Sequence, residues 1–375
     1  MITRLTLKNF KSVGQQVYEF TQFDLLVGRN NSGKSTVLQA LAIWQFCVDE
    51  FHRSKRVGSK GIQVVLPNFT ALPVPEFNLL WKDRTERAYP VKNGDKKQEF
   101  ILIEISVVWK RGAEQSGEFG VELRYHSPQT IYAIPKGGWA NFRECEKRGD
   151  LPKIAYVPPF SGLEPTEKKL DVSPIRQQVG KGQPGSVLRN LLLRVCPSPP
   201  RGQDGRIPKG YTPPPDWAEV TSVVERWFSV EIHEPKYESA RDVHITVEYA
   251  QNRKDYDIIA GGSGFHQTLT LLAFLYGYQP TTILLDEPDA HLHVNLQREI
   301  LDYFKRKALE RDTQFLIATH AEEFVRGVDA SQIVSLLNQV PTRTRSWPAR
   351  CSSTTATTRC CCSMAASASA RSAST

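Results

Sequence analysis

The sequence predicts an α/β fold built on a buried strand, a glycine-rich loop and a helix, and three observations carry that prediction. Phe23-Asp24-Leu25-Leu26-Val27 is a short apolar strand that leads into Gly28-Arg29-Asn30-Asn31-Ser32-Gly33-Lys34-Ser35-Thr36. After the loop, Val37, Leu38, Leu41, Ala42 and Trp44 recur at helical spacing. Later, the apolar runs Thr282–Leu285 and Gln314–Ala318 read as buried strands, with an apolar helix (Leu269, Leu271, Leu272, Phe274, Leu275) before them.

Taken in order, Leu5 to Phe10 alternates as a half-buried strand does. Residues 51–150 read as a β-rich insert, with strands expected at Phe100–Trp109 and Phe119–Tyr125. Seven Pro and three Gly among residues 197–215 mark an irregular loop. Trp217 to Phe228 is helical in pattern, and Val243–Ala250 and Tyr256–Ile259 are strand-like. One domain is expected over residues 1–340, followed by a tail over 341–375. No repeat and no sustained heptads are present.

Composition excludes several classes. A chain of 375 residues with 40% hydrophobic and 23% charged residues is not a disordered one. No apolar run approaches the roughly 18 residues of a membrane span, and Met1-Ile2-Thr3-Arg4 opens no signal-peptide core. A cytoplasmic protein without a membrane partner is expected. The formal charge of +8 includes five arginines and no acid in residues 341–375, which leaves +3 for the body. DNA as a partner is therefore open, since charge alone does not establish it. The cluster Arg53, Lys55, Arg56, Lys60 serves a solvated surface as well as a phosphate groove. Cys47, Cys145 and Cys196 are scattered, so neither a disulfide framework nor a metal site is indicated.

The loop fits the phosphate-binding pattern in full: Gly28, four residues, then Gly33-Lys34-Ser35. Its glycines allow consecutive N–H groups to point at phosphate oxygens, and the helix adds the positive end of its dipole. Gly28, Asn30, Asn31, Ser32, Gly33, Lys34, Ser35 and Thr36 are thus the expected ATP contacts. Lys34 is expected at the β/γ-phosphates and the Ser35 hydroxyl on Mg²⁺. Thr282 to Leu285 ends in Asp286-Glu287. Asp286 is expected to hold Mg²⁺, and Glu287 to activate or orient the attacking water. Gly261-Gly262-Ser263-Gly264 opens a helix whose N-terminus suits an anion, and His320 ends a buried strand where it could contact a γ-phosphate. His291 and His293 read as a loop facing a partner rather than as metal ligands.

The order of these pieces is specific. Asp286 follows Gly264 by 22 residues, and His320 follows Asp286 by 34. With LKNFKS at 7–12, GRNNSGKST at 28–36, YVPPFSGL at 156–163, GGSGFHQ at 261–267, LLDEPDAHLH at 284–293 and IATH at 317–320, the chain resembles ABC-type ATPase heads of the RecF/SMC class. It looks most like the ATPase part of OLD-family endonucleases. The resemblance implies a P-loop NTPase fold that uses ATP and Mg²⁺, hydrolyses ATP with Glu287 and His320 at the reaction centre, and forms a homodimer. In that dimer Ser263 and Gly264 of one head face the phosphate loop of the other. It also implies a role in DNA repair or anti-phage defence. Two departures stand out: the signature lacks the Leu-Ser-Gly-Gly-Gln order, and no Q-loop glutamine is evident near Tyr156–Phe160. A nucleotide-gated scaffold, an inactive fragment and the energy subunit of a transporter remain as alternatives.

The tail has its own logic. Ser, Thr, Ala, Arg and Cys make up 31 of its 35 residues, too polar and small to build a core. Nearly all its residues have codons with C or G in the middle, as a one-base slip in a GC-rich gene produces; Met364 alone departs. A disordered tail is expected, with the reading frame lost near 341–346 before the Toprim nuclease domain that OLD relatives carry. No nuclease activity is expected from this chain. A genuine flexible Ser/Thr/Ala tail is the alternative.

Overall fold

Alternation sets the first sheet. In strand β1 (Ile2–Phe10), Ile2, Leu5, Leu7 and Phe10 are buried, and the odd step after Ile2 coincides with a register shift between Ile2 and Arg4. The computed structural model describes residues 1–54, 61–92, 95–96, 98–112, 115–199, 210–337 and 341–343. Among them β1 pairs antiparallel with β2 (Val13–Glu19) on one edge.

Its other edge takes in strands from residues 51–150, the stretch read as a β-rich insert. With β3 reserved for Phe23–Val27 and β4 for Ile62–Val65, strands β5 (Ile103–Arg111), β6 (Gln115–Ser127) and β7 (Thr130–Pro135) complete the sheet in the order β2-β1-β5-β6-β7-β4. Leu5 lies opposite Val107 and Leu7 opposite Ile105. β5 is thus the second neighbour of β1.

The second sheet is parallel and buried on both faces. Strands β8 (Ile154–Val157), β9 (Thr282–Asp286), β10 (Gln314–Ala318), β3 and β11 (Ile333–Ser335) lie in the order β8-β9-β10-β3-β11. A last antiparallel strand, β12 (Thr342–Arg343), follows. The pleat divides its side chains between two cores: Leu26, Leu284 and Leu316 meet the first, and Leu25, Leu285 and Ile317 the second.

Helix α1 (Lys34–Arg53) fills the first core between the two sheets. Val37, Leu38, Leu41, Trp44 and Phe51 are wholly buried there, and Trp44 Nε1 donates to the Phe119 carbonyl at 3.0 Å. Gln314 joins the sheets. Its amide accepts from Ile2 N at 2.7 Å and from Thr282 Oγ1 at 3.0 Å, and donates to the carbonyls of Ile2 (2.7 Å) and Thr21 (2.6 Å). In chain order, the remaining helices that matter are α2 (Gly138–Arg148), α3 (Val172–Gly180), α4 (Leu188–Val195), α5 (Pro215–Phe228), α6 (Ser263–Tyr278) and α7 (Val294–Glu310). Helix α6 is buried from Phe265 to Tyr276, against α4 and α5.

Three strand expectations need correction. Only Glu248–Gln251 of the run 243–250 forms a strand, in a hairpin with Lys254–Asp257. Its turn residues Asn252 and Arg253 both have positive φ, the geometry whose twist suits a two-residue hairpin. Ile258–Ala260 is a single 3₁₀ turn capped by Asp257, which accepts from Ile259 N at 2.9 Å. Phe100 belongs to a separate short pairing with Arg87–Ala88, so the longer strand starts at Ile103.

The tail does not begin at 341 in structural terms. Thr342 and Arg343 pair with Ser335 and Val334, and Arg343 Nη1 reaches Asp24 Oδ1 at 2.9 Å. Residues 344–375, most of the irregular loop (200–209) and three of the basic cluster, Lys55, Arg56 and Lys60, lie outside the described residues. Arg53 pairs with Glu50. Among the described residues, no helix is long and apolar enough to cross a membrane.

Candidate functional site

The phosphate loop is shaped by its own packing. A Cβ on Gly28 would lie 2.4 Å from Ser32 Oγ, and Gly33 has φ of +95°, so neither position accepts a side chain easily. Gly33 O accepts from Val37 N at 3.1 Å, which starts α1 directly at Lys34. Asn30 and Asn31 are exposed at the loop tip. Ser32 Oγ is buried without a hydrogen-bond partner, an open acceptor and donor inside the loop.

Two segments distant in sequence, Asp286-Glu287 and His320, converge on this loop. Lys34 Nζ donates to the carbonyls of Gly28 (3.1 Å) and Arg29 (3.2 Å) and lies 2.8 Å from His320 Nε2. Ser35 Oγ donates to Asp286 Oδ1 at 2.9 Å. Glu287 Oε1 is 3.6 Å from His320 Nε2. Strand register explains the meeting: β9 pairs with β10 and β10 with β3, so Asp286, Ala318 and Leu26 stand side by side at the strand ends. Carboxyl ends of parallel strands are where such folds bind ligands.

Burial sets the electrostatics. It raises the Asp286 carboxyl above its ordinary pKa, against the lowering by hydrogen bonds from Ser35 and Tyr156. Burial likewise lowers Lys34, opposed by the charges of Glu287 and Asp286. Glu287 has φ of +52°, an uncommon conformation for a residue with a side chain. It is held by Glu287 N donating to the Ala318 carbonyl at 2.9 Å.

Ser263 and Gly264 stand apart from Lys34, at the start of α6. Ser263 is exposed, and a Cβ on Gly264 would lie 3.1 Å from the His291 carbonyl. Gln267 holds that helix to the acidic loop: Nε2 donates to the Pro288 carbonyl at 2.5 Å, and Oε1 accepts from His291 N at 3.1 Å. His293 accepts from Asn295 N at 3.4 Å at the start of α7, and the His291 ring meets Phe160 edge-on at 6.0 Å. Among the described residues, no three His, Cys, Asp or Glu side chains group as metal ligands.

Sequence reasoning missed an arc of residues behind Asp286. Tyr156 Oη donates to Asp286 Oδ2 at 3.0 Å. Lys11 Nζ donates to Gln39 Oε1, and its pKa is lowered by burial, opposed by Asp286. Asp289, buried and raised by burial, accepts from Thr319 Oγ1 at 2.6 Å. A tyrosine in the otherwise apolar strand Ile154–Val157 was the one visible signal.

Oxygen donors Ser35 and Asp286, with the buried, unpartnered Ser32 hydroxyl and the Lys34 ammonium, fit Mg²⁺ and a polyphosphate. Family models agree. One described as "AAA ATPase domain" matches residues 1–102, and one described as "AAA domain, putative AbiEii toxin, Type IV TA system" matches residues 188–326. No curated protein matches the sequence. Among solved structures, the SmcHead bound to the C-winged helix domain of ScpA is similar, with a TM-score of 0.51 at 17% identity over 92% of this chain and 95% of that one. The Smc head domain from Pyrococcus furiosus bound to the C-terminal domain of ScpA gives 0.48 at 15%, over 91% and 95%. The SMC head domain from Thermotoga maritima gives 0.43 at 16%, over 91% and 97%. The chain has an α/β fold like that of the SMC head, and residues 1–102 and 188–326 match models of AAA ATPase domains.

Proposed function

We propose that this chain binds ATP with Mg²⁺ and hydrolyses it to ADP and phosphate. One observation carries the reading: Lys34, Ser35, Asp286, Glu287 and His320 meet within hydrogen-bond or ion-pair reach at the ends of parallel strands. In this reading Lys34 exchanges its loop carbonyls for β/γ-phosphate oxygens. Ser35 and Asp286 hold the cation, which when bound neutralises phosphate charge. Glu287 orients the attacking water and accepts its proton, and His320 contacts the γ-phosphate. The site residues of the phosphate loop, Gly28 and Asn30 to Thr36, contribute backbone and hydroxyl donors.

The head is proposed to work as a homodimer. Ser263 is exposed at a helix N-terminus, which suits an anion brought by a second copy. Motif resemblance supports the further reading that the ATPase serves an OLD-like nuclease in DNA repair or defence. The match over residues 188–326 to a model described for a Type IV TA system is in keeping with defence.

ATP turnover in wild type beside Glu287→Gln tests the hydrolysis. The variant should keep ATP binding and lose turnover by at least about a hundredfold, the lower end of what a positioned base contributes. Equal rates in the two proteins would exclude this mechanism.

A further inference from the structure

The outer face of α1 lines a second groove, which shares Tyr156 with the site above. Ala42, Phe46, Asp49 and Arg53 recur three to four residues apart and form one wall. Lys153, Tyr156, Arg176 and Phe274 contribute to the rest, and the space between is about 340 Å³. That volume is within the range of small-molecule sites.

Its chemistry is apolar inside and cationic outside. Phe46 and Phe274 are buried, while Arg53, Lys153 and Arg176 line the groove with a single acid, Asp49. That acid is already engaged: Arg176 donates to its Oδ2 at 2.6 Å and Gln45 to its Oδ1 at 2.9 Å. Lys153 donates to a backbone carbonyl, that of Tyr278. Arg194 lies over the ring of Tyr278 at 5.0 Å and adds positive charge beside it. Burial lowers the Lys153 pKa, and Arg194 and Arg176 lower it further. Asp49 alone opposes them, raising it.

We propose that this groove binds a small organic anion with a flat apolar body, its charged group held by Lys153 and Arg176. Tyr156 connects the groove to the nucleotide site, because it lines the groove while its hydroxyl donates to Asp286. Occupancy of the groove therefore changes ATP affinity; this coupling, unlike the binding itself, rests on the nucleotide reading.

The probe is 8-anilinonaphthalene-1-sulfonate, a flat apolar sulfonate, titrated against the full chain by fluorescence. The expected result is one saturable site per chain, weakened about tenfold or more in Lys153→Glu, as loss of a charge-assisted contact requires. Lys153→Arg should restore it, and Arg176→Gln should weaken it. Lys153 is exposed, so melting midpoints should match wild type; if Lys153→Glu melts early, Arg176→Gln decides. Absence of saturable binding, or equal affinity in wild type and the deciding variant, overturns the site. Lys34→Ala should still bind the probe, which separates failure of the groove from failure of the nucleotide reading. ATP affinity unchanged by saturating probe overturns the coupling.

Discussion

Lys34 Nζ lies 2.8 Å from His320 Nε2, so the imidazole accepts from the ammonium. Glu287 Oε1 approaches the same nitrogen at 3.6 Å. With the Gly28 and Arg29 carbonyls, His320 uses all three Lys34 protons. Phosphate must displace these contacts. Lys34→Ala should lower ATP affinity roughly 30-fold, since a hydrogen bond to a charged group contributes about 2 kcal/mol. Equilibrium titration with a fluorescent ATP analogue measures this. His320→Ala should instead keep affinity within about threefold and reduce turnover about tenfold.

Ser263 offers a test of the composite site. Ser263→Arg places bulk at an exposed helix start, and should leave nucleotide binding by the single chain intact while suppressing turnover. Mixed with Lys34→Ala, it should recover partial activity. In such a heterodimer one site has both an intact phosphate loop and an intact Ser263 face. No recovery from confirmed heterodimers would rule out sites shared between two chains.

Tyr156→Phe keeps the ring and removes the hydroxyl that donates to Asp286. Loss of this bond should cost about 1 kcal/mol of cation binding. The Mg²⁺ concentration for half-maximal turnover should rise roughly fivefold. An unchanged Mg²⁺ dependence would show that Tyr156 has no hold on the carboxylate.

Arg343 gives a stability test with a pH signature. Asp24 is wholly buried, and burial raises its pKa against the lowering by Thr21 and Arg343. A carboxyl raised in the folded state contributes stability below its unfolded pKa and loses it as pH rises through the folded value. Arg343→Ala raises Asp24 further, so its penalty should be largest at neutral pH, about 3 kcal/mol for breaking a buried pair. Below about pH 4, the ordinary carboxylate range, Asp24 holds its proton and the penalty should shrink. Urea unfolding at pH 7 and pH 3.5 reads the difference; equal losses would refute the pairing.

Local pattern carried a great deal of this molecule. The strand at Phe23–Val27 and the helix from Lys34 were legible because a buried parallel strand is continuously apolar and its helix periodic. Ser35 and Asp286 were legible as partners because chemistry demands both. Tyr156 was not, because its contact depends on which strand lies beside β9, a pairing across 130 residues that no local spacing encodes. The strands at 103–135 were recognised, but not their pairing with β1, for the same reason: periodicity identifies a strand, not its neighbour. Lys11 stood within a quoted motif, yet its proximity to Gln39 depends on how the β1–β2 turn folds over α1.

Gln314 has a mechanical consequence. One side chain without solvent exposure makes four hydrogen bonds that span the antiparallel strand β1, Thr21 just ahead of β3, and strand β9. Sliding of one sheet over the other would break all four together and strand their polar atoms in an apolar interior, where each costs about 1–3 kcal/mol. The two layers around α1 thus behave as a welded block. Movement on nucleotide binding would leave these two layers fixed relative to each other.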